Sequence, residues 1–182
     1  MNHIIQFIVL SIPVVYFSRR NILHPKSHGF FRFFGWEGMV WLFVSNHRYW
    51  FTHPFSVLQI ISWLLLFVSV YLVSFGGLFL LRKGKPSSER EDNHLFGFEK
   101  TTELVNTGVY RLIRHPLYSS LIYLSWGILL KNITIPLFLI TLVCSLLFYL
   151  TALHDEKECI IYFGDKYREY MKHSKMFIPF IF

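Results

Sequence analysis

Two clusters of charged and polar residues adjoin long apolar runs, and these are where chemistry could reside. The first is Gly108-Val109-Tyr110-Arg111-Leu112-Ile113-Arg114-His115-Pro116-Leu117-Tyr118. A residue before proline is biased away from helix, so His115 is expected to close the preceding segment, with Pro116 in the first turn of the next helix. That turn offers unpaired N–H groups and a positive dipole end beside Arg111, Arg114 and His115, which makes a site for an anion. The second cluster is His154-Asp155-Glu156-Lys157-Glu158, some 40 residues on. If the intervening chain is a hairpin, both clusters share one end, and the pair suits a ligand carrying charges of both signs. Charges at the ends of apolar runs are also common simply as interface anchors.

The runs themselves predict the elements. Ser56–Leu81 holds 26 residues without a charge, and Ile133–Leu153 holds 21, against the ~20 needed to cross a bilayer. Pro116–Leu130 is shorter and pairs with Ile133–Leu153 as a hairpin turning at Lys131-Asn132. Ile4–Phe17 reads as a first span, since its charges, Arg19 and Arg20, follow it rather than precede it. Phe30–His47 carries Arg32 and Glu37 and either spans or lies in the interface. Counting it as a span puts sixteen of the eighteen basic residues on the inner side and only Arg48 and Lys131 outside. The expected fold is an all-α integral membrane protein of about five transmembrane helices, N-out and C-in. It is a single domain, 1–182. Three N-terminal spans occupy 1–81, a cytosolic loop 82–115, the hairpin 116–154 and a cytosolic tail 155–182.

Composition agrees. Of 182 residues 53% are apolar and 16% charged, below the roughly 25% charged of soluble domains. Disordered, collagen-like and disulfide-scaffold chains are excluded, and Cys144 and Cys159 provide no cysteine zinc cluster. The net charge of +7 sits at run ends, which argues for membrane lipids as partners and against nucleic acid.

The run Leu104–Ser120 (LVNTGVYRLIRHPLYSS) resembles the signature of the isoprenylcysteine carboxyl methyltransferases and their phospholipid N-methyltransferase relatives. Asp155–Tyr170 (DEKECIIYFGDKYREY) is similar to that family's acidic pair followed by F-G-x-x-Y-x-x-Y, and the ending Met176–Phe180 is similar too. The resemblance implies a small helical membrane enzyme that moves a methyl group from S-adenosyl-L-methionine to a lipid-like or small hydrophobic acceptor. Its cofactor pocket faces the cytosol, formed by the last helical hairpin, the polar loop and the C-terminal tail. Carried over residue by residue, Arg114, His115, Pro116 and Tyr118 hold the methionine carboxylate or adjoining parts, and Gly108 and Tyr110 shape the turn around it. Asp155 and Glu156 face the amino group or orient substrate, Tyr167 helps close the pocket, and Glu156 with Arg114 forms the catalytic pair. The chain departs from the family pattern before the acidic pair, where it has Leu153-His154 instead of an arginine, and at Asp155, where relatives have glutamate.

Two other classes compete: a membrane reductase of the sterol-reductase type using NADPH, and a non-enzymatic membrane adaptor whose polar loop binds a partner. Remaining residues take simpler readings. His47, Arg48, Tyr49, Trp50 and His53 form an interface belt rather than a metal site, and no metal is expected. His24 and His28 contact lipid headgroups in a basic turn. Gly76 and Gly77 permit close helix packing. Ser87–Asp92 is a solvated loop tip. Glu37, an acid within an apolar segment, is a candidate for substrate contact.

Overall fold

The computed structural model describes residues 2–25, 27–87 and 95–182; the expected loop tip at Ser88, Glu89, Arg90, Glu91 and Asp92 lies outside them. Among the described residues the chain forms six α-helices and no strands, only two isolated bridges. They are α1 (His3–Ile22), α2 (His28–Asn46), α3 (Val57–Lys83), α4 (Pro116–Leu129), α5 (Ile135–Phe163) and α6 (Asp165–His173). Each predicted apolar run is a helix. Asn2, Ser56 and Thr134 cap α1, α3 and α5 by accepting from the N–H of Ile4, Gln59 and Leu137.

Two of these helices, α3 and α5, are long and apolar enough to cross a membrane. Only 22% and 33% of their apolar windows are buried within the molecule, which separates them from the core helices of a soluble protein. At 1.5 Å per residue the 29 residues of α5 reach ~44 Å, well beyond a ~30 Å hydrocarbon core. The helix therefore continues through the expected boundary at 154/155 and carries Asp155, Glu156 and Glu158 on its far end.

Helix α3 packs on α4, α2 on α5, α1 on α2, and α4 on α5. Small residues set the spacing. A Cβ on Gly35 would sit 2.6 Å from the Phe148 ring, and one on Gly38 2.4 Å from Cys144 Sγ, so α2 approaches α5 nearly backbone to side chain. Gly76 lies against Pro116 and Leu117 as expected, whereas Gly77 faces open space and plays no part in packing. Polar ties close the end of the bundle opposite the acidic cluster. Asn46 donates to the carbonyls of Ile128 (2.8 Å) and Asn132 (3.2 Å), and Ser62 to that of Gly127 (2.6 Å).

The hairpin turns where the sequence indicates, between Leu129 and Ile135. Lys131, however, is no exposed topology charge. It is buried, donates to Gln59 Oε1 at 3.0 Å and lies 3.7 Å from the Trp63 ring centroid. A turn charge flanked by apolar helices finds its partners inside the bundle once an amide and an aromatic face are within reach.

Candidate active site

The chain between α3 and α4 builds one wall. A short 3-10 turn, Gly108–Arg111, is possible because Gly108 takes φ +63°, and a Cβ there would stand 2.3 Å from the Phe79 ring. Leu112–His115 then pairs with the tail. Lys175 N–H donates to Leu112 O (3.0 Å), Arg114 N–H to Lys175 O (2.7 Å) and His115 N–H to Met176 O (3.2 Å). Arg114 Nη1 also donates to the carbonyls of Ser174 and Met171, and the Tyr170 hydroxyl donates to Tyr110 O at 2.6 Å. His115 caps α4 and Pro116 opens it.

Across from this wall stands the end of α5. Arg114 Nε donates to Glu156 Oε1 at 2.8 Å, and the same oxygen lies 3.2 Å from His115 Nε2. His115 Nδ1 is 3.4 Å from Asp155 Oδ2. Burial opposes the His115 cation, but its bonds to Asp155 and Glu156 prevail and raise its pKa. Burial likewise raises the phenols of Tyr110, Tyr167 and Tyr170, so these remain neutral.

The two walls flank a partly open pocket that both charged clusters line. Seven of the residues expected to meet the cofactor line it: Tyr110, Arg114, His115, Pro116, Tyr118, Asp155 and Tyr167. Gly108 stands behind as the turn, and Glu156 as the buttress of Arg114 and His115. Glu37 is elsewhere, taking a 2.5 Å hydrogen bond from Ser11 of α1.

Sequence reasoning missed the roof. Glu99, in the 3-10 turn Gly97–Glu99, lines the cavity, accepts from Phe96 N–H (2.9 Å) and is ion-paired with Arg32 of α2. His28 corrects the headgroup expectation: it is 1% exposed, bonded through Nδ1 to Glu158 Oε2 at 2.8 Å and 3.7 Å from Glu99. His28, Asp155 and Glu158 gather one ligand atom each within 4.8 Å, which here is a histidine–carboxylate pairing. Arg32 had a signal, a charge inside an apolar run. Glu99, one acid among many in a polar loop, had none.

Burial works against the Glu99 carboxylate, yet Arg32 and His28 outweigh it and hold its pKa at about 2. A depressed acid contributes stability above its ordinary pKa of 4.5 and loses it as pH falls toward 2. The hydrogen-exchange protection factors of residues 96–101, each taken against the intrinsic rate at that pH, are therefore expected to fall between pH 4.5 and 2.5 in the wild type. In Glu99→Gln they should already be low at pH 6 and change little across that window.

The constellation is thus a helical hairpin whose charged ends, Arg114 and His115 on one arm and Asp155 and Glu156 on the other, meet beside a polar loop. The model of the phospholipid methyltransferase family matches residues 87–163, the loop-and-hairpin portion of the chain. Similar curated proteins include methanethiol S-methyltransferase 1 of Bradyrhizobium diazoefficiens, 29% identical over 65% of this chain and 39% of that one. Protein-S-isoprenylcysteine O-methyltransferase of Tribolium castaneum is 27% identical over 76% of this chain and 55% of its own. Methanethiol S-methyltransferase of Pseudomonas deceptionensis is 25% identical over 65% and 42%. The chain spans about half the length, or less, of these relatives. No solved structure matches it.

Proposed function

We propose that the protein is a multi-pass membrane methyltransferase that uses S-adenosyl-L-methionine on a lipid-like or small hydrophobic acceptor. The observation that carries this is the cavity itself, in which residues from both sequence motifs meet although 40 residues separate them. Its chemistry fits the cofactor. Arg114 and His115 with the α4 N-terminus suit a carboxylate, Asp155 and Glu99 suit ammonium and sulfonium charge, and the tyrosine rings suit an adenine face. S-adenosyl-L-methionine supplies an electrophilic methyl on sulfur and calls for no metal.

The residues of the chain bind, orient and exclude water. Glu156 holds Arg114 and His115 in place, and Tyr167 and Tyr170 close the cavity from α6. Orientation of donor and nucleophile can contribute ~7–11 kcal/mol in well-aligned systems. A carboxylate or thiolate acceptor needs no base; an amine would need a proton acceptor such as Glu156 or His154. We place α1 and α2 across the bilayer beside α3 and the hairpin, N-out and C-in, with the cavity at the cytosolic face. The basic residues gathered at that end support this.

Calorimetric titration of nanodisc-embedded protein with S-adenosylhomocysteine tests the reading. Micromolar binding is expected, with none for NADPH. Binding of NADPH alone would favour a reductase, and binding of neither an adaptor.

A further inference from the structure

The tail beyond α6 closes on itself. The Phe182 oxygen accepts from Phe177 N–H at 2.7 Å, and Ile181 N–H donates to Ile178 O at 3.2 Å, so residues 177–182 form one tight turn. Phe177 is buried within it, whereas Phe180, Ile181 and Phe182 are 83%, 75% and 52% exposed. Phe180 also takes φ +67°, a left-handed conformation unfavourable for a bulky L-residue. Three large apolar side chains presented on one strained turn are stable beside hydrocarbon rather than water.

Resting on the membrane methyltransferase reading, we infer that this turn docks on an anionic lipid leaflet and that docking braces the wall of the cofactor cavity. Two observations select a lipid surface. The first is continuity. The Phe182 ring centroid lies 6.2 Å from that of Tyr149, in the apolar part of α5, and Ile178 and Phe182 line an apolar groove with Ile122 and Leu146 of the hairpin. The turn thus extends the lipid-facing surface of α4 and α5. The second is charge. Residues 165–182 carry four lysines and arginines against two acids, all six exposed. Arg168 pairs with Asp165 and Lys172 with Glu169, which leaves Lys166 and Lys175 as the excess. Basic side chains beside an apolar wedge suit a segment held at an anionic interface. The brace runs through the backbone. Lys175 O accepts from Arg114 N–H and Met176 O from His115 N–H, immediately before Phe177, whose ring centroid is 6.1 Å from that of His115. A turn held by lipid therefore holds the strip that positions Arg114 and His115.

A nitroxide on Phe180→Cys, in a Cys159→Ser background and in lipid nanodiscs, reports the docking directly. Collision with oxygen is expected to exceed collision with an aqueous nickel chelate, while the same label on Glu169→Cys prefers the chelate. Preference for the chelate at residue 180 overturns the inference. So does shielding from both reagents in particles that hold two chains, which would make the turn a contact between copies. The brace is read by calorimetric titration with S-adenosylhomocysteine, whose net charge is zero, so a charged surface does not concentrate it. Discs containing phosphatidylglycerol are expected to give about five-fold tighter binding than phosphatidylcholine alone, and Lys166→Gln with Lys175→Gln to abolish that difference. Phe180→Ser with Ile181→Ser should weaken binding about ten-fold in either lipid. Equal affinity in the two lipids, a lipid effect that survives both lysine substitutions, or unweakened binding by the serine variant overturns the inference. A wild type that binds no S-adenosylhomocysteine sinks the methyltransferase reading instead, and the nitroxide then judges the docking by itself.

Discussion

Glu156→Ala should weaken S-adenosylhomocysteine binding at least 100-fold, about 2.7 kcal/mol, and lower stability in parallel. The carboxylate is 7% exposed and one oxygen serves both Arg114 Nε and His115 Nε2. Removing it leaves two cations facing each other inside the wall of the cavity, and breaking a buried pair in this way costs ~3–5 kcal/mol. Glu156→Gln keeps an oxygen acceptor but no charge and should fall between. The measurement is a calorimetric titration beside a chemical-denaturation curve for each variant. Unchanged cofactor affinity in a folded Glu156→Ala protein would contradict the positioning role. It would mean that Arg114 and His115 are held well enough by the tail, through the carbonyls of Ser174, Lys175 and Met176.

Gly108→Ala is the second large effect. The substitution is small, but φ +63° already costs an L-residue ~1–2 kcal/mol, and the new methyl would occupy the Phe79 ring. Together these amount to roughly 2–5 kcal/mol, enough to push the turn off α3. Tyr110, two residues on, would leave the cavity with it. Phe79→Ala alone relieves the clash but not the strain, so the double variant should recover about half the loss. Full recovery would make the backbone conformation unimportant, and no recovery would make the ring irrelevant. Thermal unfolding with and without S-adenosylhomocysteine separates these outcomes.

Particular residues show how far the sequence alone could reach. The apolar runs gave every long helix because nothing but a helix satisfies backbone groups over 20 apolar residues. His115-Pro116 marked the start of α4 because proline constrains both itself and its predecessor. The meeting of Arg114 and His115 with Asp155 and Glu156 follows from a hairpin whose second arm returns to the end where the first began, and it was legible once the turn at Lys131 was seen. What was hidden depends on helix rotation and on pairs far apart in the chain. Arg32 and Glu99 are 67 residues apart, and no periodicity links a charge in α2 to an acid in a loop. Lys131 reads as an outer charge until Gln59 and Trp63, 72 and 68 residues earlier, are known to surround it. Gly76 and Gly77 are adjacent and identical, and only the azimuth of α3 decides which one touches α4.

The tail pairs with Leu112–His115 in parallel, as the bridge between Ile113 and Lys175 records. Parallel neighbours require a crossover, and here the crossover is the whole of α4, α5 and α6. On the ribosome, residues 174–177 emerge some 60 residues after the strip they must join, at ~5–20 residues per second. During those seconds the strip's carbonyls and N–H groups have no tail to pair with. The cavity is thus the last thing to be assembled. Until the tail docks, one wall of the cavity lacks its backing, so ligand binding reports that the C-terminal end has found its place.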